Sequence, residues 1–287
     1  MNRQSRRAPA IPPRRGQGIP LLSLAHFTVV EAEPITLIEA AQAGGYDAIG
    51  LRIVPPFPTD HVFPVIGNPN LVRSIKRRLM ETGIRVLDVE AIWLTAQSDI
   101  ATLEPALDIA VELGAGYVIV AGNDPDCGRL AGNFSRLCAA ANLREVRVML
   151  EFNPYSRVRS LAQAVALLAD VEPANAGVLV DALHLSRSGG SPADLAQYDP
   201  ALFSYMHLCD APAIPPGPDG LRPEAREGRL YPGEGGLWLA DFIRAFPQDT
   251  PIAIEAPSAH RAGLPAAERA SLAASGTRQL LRELIAR

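Results

Sequence analysis

The chain holds only three cysteines among 287 residues, Cys127, Cys138 and Cys209. An odd number without C-x-x-C spacing excludes a disulfide framework and a structural zinc ribbon, and fits a reducing cytoplasm. Cys209 reads as a small buried hydrophobe. Also missing is any apolar run near the roughly 18 to 20 residues needed to cross a bilayer, so no membrane span is expected. No glycine-rich phosphate loop follows the first strand-like segment, which argues against a doubly wound dinucleotide-binding sheet. Residues 1–18 contain five arginines, no acid and no apolar stretch, and read as a mobile tail rather than a signal peptide. Without those five charges the formal net charge of −4 falls to −9 for the remainder, a poor match for a nucleic-acid backbone.

What is present is alternation. Strand-like runs are predicted at 20–25, 47–53, 84–90, 116–121, 146–151, 177–181, 203–207 and 251–255. Amphipathic stretches follow them at 34–43, 68–82, 99–113, 129–143, 158–170, 192–197, 236–246 and 265–285. Boundary residues agree with this division: Pro34 suits a first turn, Asn68 or Asn70 and Ser160 suit N-caps, and Gly44, Gly83 and Gly114 suit helix ends. Eight strands, each followed by a helix, close most simply into one (β/α)8 barrel over residues 19–287. Two connections, 54–67 and 208–235, exceed ordinary loop length and fall on the carboxyl side of strands, where barrel active sites are built.

Four of the later strands end in side chains that bind metals or move protons: Glu151 after VRVML, Asp181 after GVLV, His207 after SYM and Glu255 after PIAI. Carboxylates converging at neighbouring strand ends repel unless a cation lies between them. Three carboxylates and one imidazole suit Mn²⁺ best, with Mg²⁺, Co²⁺ and Zn²⁺ as alternatives. A metal bound to a substrate carbonyl acidifies the adjacent C–H and stabilises the enediolate left when that proton departs. Glu151 and Glu255, well separated around the rim, are the candidate acid/base pair. Arg52 and Glu90 could face the pocket as an ion pair, and His26 sits near the end of the first strand; all three are candidate substrate contacts, whereas His61 and His260 read as loop residues. The PGEGG segment at 232–236 reads either as a tight turn or as a backbone nest for an anionic substrate group.

The motifs LEFNP at 150–154, VLVDALHLSRSGG at 178–190, YMHLCDAP at 205–212, REGRLYPGEGGLWL at 226–239 and IAIEAPS at 252–258 resemble the sugar phosphate isomerase/epimerase group, the xylose isomerase-like barrels. The resemblance implies a Mn²⁺-type ion held at Glu151, Asp181, His207 and Glu255, with the two glutamates as acid/base pair. It implies that His184, in the D-x-x-H spacing, binds substrate, and that Arg226 or Arg229 binds substrate oxygens. Barrels of the group often pair, so a homodimer is a further expectation.

Three other readings share the frame. A dehydratase of a cyclic keto-polyol, of the 3-dehydroshikimate or keto-inositol type, begins with the same proton abstraction; Asn153 stands where the dehydroshikimate branch carries a histidine. A DNA-repair endonuclease needs further metal histidines, but Arg52, Glu90 and REGRLYPG occupy their neighbourhoods. A non-catalytic sugar-binding barrel would be signalled by a lost ligand, and none is lost.

Overall fold

A computed structural model describes residues 20–57 and 59–285, so the expected tail at 1–18 lies outside the described residues. The eight predicted strands are all present: β1 (Leu22–Leu24), β2 (Ala48–Arg52), β3 (Arg85–Leu94), β4 (Tyr117–Gly122), β5 (Arg147–Glu151), β6 (Ala176–Asp181), β7 (Met206–Leu208) and β8 (Ile252–Ile254). Every neighbouring pair is parallel, and β8 returns to β1, giving a closed barrel in sequence order. Nine α-helices are described: α1 (Pro34–Ala43), α2 (Pro69–Thr82), α3 (Ile100–Leu113), α4 (Cys127–Asn142), α5 (Leu161–Val171), α6 (Ala182–Arg187), α7 (Leu221–Glu227), α8 (Leu239–Arg244) and α9 (Ala266–Ile285).

Local chemistry sets the boundaries. Asn68 accepts a hydrogen bond from Leu71 N at 3.1 Å to start α2, and Gly83 ends it at φ 72°, a conformation that costs an L side chain. Ser160 caps α5 in the same way. Three helices depart from expectation. α6 begins directly at the end of β6 because Asp181 is both the last strand residue and an N-cap, accepting from His184 N at 2.9 Å. α7 forms inside the long 208–235 connection, and the predicted 236–246 helix shortens to α8.

Two apolar layers hold the barrel. One lies between strands and surrounding helices; the other fills the barrel interior with residues such as Leu87, Ile119, Met149, Leu179 and Tyr205. The register staggers the strand ends that build the site. Glu151 is level with Leu179, two residues before Asp181; Asp181 is level with His207; His207 is level with Ala253, two residues before Glu255. Since alternate residues face inward, this stagger aims all four side chains into the carboxyl-terminal mouth.

Candidate active site

Glu151, Asp181, His207 and Glu255 converge so that one ligand atom from each lies within 4.8 Å of all the others. His207 Nδ1 sits 3.4 Å from Glu151 Oε1, 3.6 Å from Glu255 Oε2 and 4.0 Å from Asp181 Oδ2. The two glutamates are indeed three strands apart, but their carboxylates meet at the barrel mouth rather than facing each other across the rim.

Arg229 enters this cluster from behind. Its Nη1 donates to Asp181 Oδ2 at 2.6 Å and to Glu255 O at 2.9 Å, its Nη2 pairs with Glu255 Oε2 at 2.8 Å, and its Nε donates to Ala225 O at 2.9 Å. Burial alone would push the Asp181 and Glu255 carboxyls up, but the guanidinium overrides it and holds both below their ordinary range. For His207, burial opposes charging, yet Glu255 and Glu151 raise its pKa well above the ordinary value.

These residues fit a divalent cation. Three carboxylates against one guanidinium leave an excess of negative charge around a pocket that contains two buried, unpartnered ligand atoms, Glu151 Oε1 and His207 Nδ1. Buried charge of that size needs a counter-charge. Asp181 and Glu255 keep lone pairs beyond those used by Arg229.

A cleft that opens to solvent rises from the cluster. Its wall includes Arg52, Glu90, Trp93, Tyr155, His184 and Arg226. Arg52 Nη2 lies 3.4 Å from Glu90 Oε2 and its guanidinium stacks 4.3 Å over Phe27, while Nε has no partner among the described residues. His184 packs edge-on against Tyr155 at 5.7 Å; burial lowers its pKa, and Nδ1 is unpartnered.

The two candidate arginines are thereby separated. Arg229 is spent on the carboxylates, whereas Arg226, on α7, reaches Asp60 Oδ1 at 2.7 Å and ties the two long connections together across the mouth. Phe57 adds to that clasp under Arg222, 4.4 Å away.

Two expectations are corrected. His26 does not line the cavity: its Nε2 meets Ala32 O at 2.8 Å and its Nδ1 accepts Arg52 N at 3.1 Å, so both ring nitrogens are engaged behind Arg52. The PGEGG nest is already filled from within, since Asp210 Oδ2 accepts Gly233 N and Gly235 N at 3.1 and 2.9 Å and Oδ1 accepts Leu237 N at 3.0 Å. Trp93, Tyr155, Asp60 and Phe27 were missed. Tyr155 follows the LEFNP motif directly, a signal that could have found it.

Comparison with known proteins supports the same grouping. A family described as xylose isomerase-like TIM barrel matches residues 38–282. A 3-dehydroshikimate dehydratase of Pseudomonas aeruginosa is 26% identical over 219 residues, covering 72% of this chain and 33% of that protein. An inosose isomerase of Halalkalibacterium halodurans is 23% identical over 226 residues, covering 72% and 75%. The chain thus spans about a third of the first relative. Among solved structures, an IolI protein with a bound zinc atom superposes with TM-score 0.74 at 20% identity, over 92% of this chain and 99% of that one. No helix among the described residues is long and apolar enough to cross a membrane.

Proposed function

This chain belongs to the xylose isomerase-like TIM barrel family, and on that premise we propose that it is a divalent-metal-dependent isomerase or epimerase of a sugar or sugar phosphate. The observation that carries the reading is the convergence of Glu151, Asp181, His207 and Glu255 beneath a cavity whose wall holds the unpartnered Arg52 Nε and His184 Nδ1. Those four residues would hold the ion, Mn²⁺ by preference. When bound, it would polarise a substrate carbonyl and acidify the neighbouring C–H.

Glu151 takes the proton. Its Oε1 is unpartnered and its side chain is 13% exposed toward the cavity, against 7% for Glu255, whose carboxylate is held by Arg229. Glu255, on the other side of His207 Nδ1, returns a proton to the same or the neighbouring carbon. Because Arg229 keeps the Glu255 carboxyl ionised, the proton it returns must first reach it from solvent or substrate through the open mouth. His184 Nδ1 and the Arg52 guanidinium orient substrate oxygens, with Glu90 fixing Arg52. Trp93 and Tyr155, stacked at 6.3 Å and 14°, supply an apolar wall against the C–H face of the substrate. Imine chemistry is disfavoured as a route to the same proton transfer. The chain's one lysine, Lys76, is about half exposed on α2 and pairs with Glu112.

Dehydration of a cyclic keto-polyol is the second reading, favoured by the 26% identity to a 3-dehydroshikimate dehydratase. Both readings begin with proton abstraction, so one experiment tests them. Mn²⁺-loaded protein is incubated in D₂O with ketoses, ketose phosphates, 3-dehydroshikimate and a keto-inositol, and NMR follows deuterium entering the carbon beside the carbonyl. Exchange without loss of water, abolished by Glu151→Gln and by Glu255→Gln, supports the isomerase or epimerase. Loss of water assigns the dehydratase. Absence of exchange with every substrate leaves a substrate outside the panel or a sugar-binding barrel.

A further inference from the structure

We propose that Asp88, buried inside the barrel beneath the metal-site cluster, is a positioning residue that accepts the Nε2–H of His207 through one ordered water and so fixes which imidazole nitrogen faces the metal. The inference rests on the metal reading given above.

Asp88 lies in the middle of β3 and is 1% exposed. Neither of its carboxyl oxygens has a hydrogen-bond partner among the described residues. Buried polar atoms without partners are rare and call for a physical reason. The complementary orphan lies in the same interior. His207 turns Nδ1 toward Glu151 and Glu255, which leaves Nε2 pointing away from the cluster, buried and without a partner.

A ring bound to a metal through Nδ1 keeps its proton on Nε2. In the metal-bound state His207 therefore presents a buried donor on that side, and a histidine that ligates a metal commonly gives this proton to a carboxylate.

The surroundings are arranged for Asp88 to receive it. The Asp88 carboxyl is within electrostatic reach of His207. Tyr205, two residues before His207, bridges the space: its ring lies 5.9 Å from the His207 ring and its hydroxyl is directed at Asp88, though no closed hydrogen bond forms. Gly50, level with Asp88 on the adjoining strand, leaves the room. A Cβ there would come 2.7 Å from Asp88 Oδ1 and 3.2 Å from Glu90 Oε1. Among the described residues, none of the His207 ion-pair contacts within 4.0 Å is to Asp88, so one ordered water, with the Tyr205 hydroxyl as a further partner, would join donor to acceptor.

The test compares Asp88→Leu and Asp88→Asn with the parent protein by calorimetric titration of Zn²⁺ and Mn²⁺, thermal melting in EDTA, and nitrogen-15 NMR of the His207 ring. We expect Asp88→Leu to weaken metal binding by about 10- to 100-fold and to shift the Nε2 resonance, without lowering the melting temperature of the metal-free protein. Asp88→Asn, which retains an accepting oxygen, should recover most of the affinity. Parent-like affinity and an unmoved His207 resonance in both variants would overturn the inference and leave the metal site standing. A parent protein that binds neither ion would overturn the metal reading and this inference with it. Should Asp88→Leu fail to fold, Asp88→Ala, which also removes the acceptor, takes its place in the same titration and NMR measurement: weakened metal binding with a displaced His207 signal supports the contact, and parent-like affinity with an unmoved signal refutes it.

Discussion

Folding of this barrel should carry a pH dependence written by a histidine that the chemistry does not use. His26 is buried with Nε2 against Ala32 O and Nδ1 accepting Arg52 N, which only the neutral ring with its proton on Nε2 can satisfy. A second proton would set an N–H against the Arg52 N–H. Burial, opposed by the Ala32 contact and reinforced by the Arg52 charge, lowers its pKa from 6.5 to about 4. Between those values the unfolded chain binds a proton that the folded chain refuses. The contribution is therefore complete above pH 6.5 and is lost as pH falls toward 4. It amounts to about 3 kcal/mol, a large part of the roughly 5 to 15 kcal/mol typical of a domain. The assay is urea unfolding in EDTA from pH 4 to 7.5 for the parent and His26→Leu. The constant cost of the lost hydrogen bonds drops out, and the stability difference between the two should grow by about 3 kcal/mol from low to high pH. A difference that stays flat across this range would refute the argument, as would a His26 NMR titration centred near 6.5.

Arg229→Met should cost roughly 3 to 5 kcal/mol in EDTA, because it strands two buried carboxylates, and saturating Mn²⁺ or Zn²⁺ should restore part of that; equal losses with and without metal contradict the shared-charge account. Arg226→Ala should raise KM in whichever deuterium-exchange reaction is found, while global stability, followed by denaturant titration, changes by less than about 1 kcal/mol, since its pair with Asp60 is partly exposed. A fall in kcat with unchanged KM would place Arg226 in the chemistry instead. Gly235→Ala drives a Cβ into Ala211 O and the Asp210 carboxylate; the expected cost is about 1 to 3 kcal/mol by denaturant titration, and an unchanged midpoint would show that the turn yields.

The sequence made the barrel legible because each strand is an apolar run, boundary residues such as Asn68, Ser160 and Gly83 set off the helices between them, and four of the later strands end in an acid or imidazole. It made the Glu151, Asp181, His207 and Glu255 cluster legible as well, since each ends or immediately follows a run of buried residues. Contacts between distant segments were not legible. Arg226 and Arg229 lie three residues apart, and only the closed fold sends one to Asp60 and the other to Asp181. α7 was hidden by Pro216, Pro218 and Pro223, which look like loop punctuation although α7 admits Pro223 in its first turn. Asp88 was in plain view, two residues before Glu90 and on the same inward face, but an acid in mid-strand carries no signal of its partner. The Asp210 contacts with 233–237 likewise span more than twenty residues, and the glycines alone could not say which anion they bind.

That internal anion has a consequence for how this barrel could diversify. With Asp210 stapled to the amides of Gly233, Gly235 and Leu237, and Leu230 bridged back to Asp210, both feet of the long excursion after β7 are anchored on the barrel rim. The stretch between the feet is mostly solvent-exposed from 212 to 219, including Ile214 at 83%. Length can be added or removed there without disturbing the anchors, because extending an already exposed loop costs only about 0.6 kcal/mol per doubling. The anchored stretch from Gly228 to Leu237 has no such freedom. A lineage, or an engineer grafting new loops, would vary the first segment to change what enters the mouth and leave the second alone.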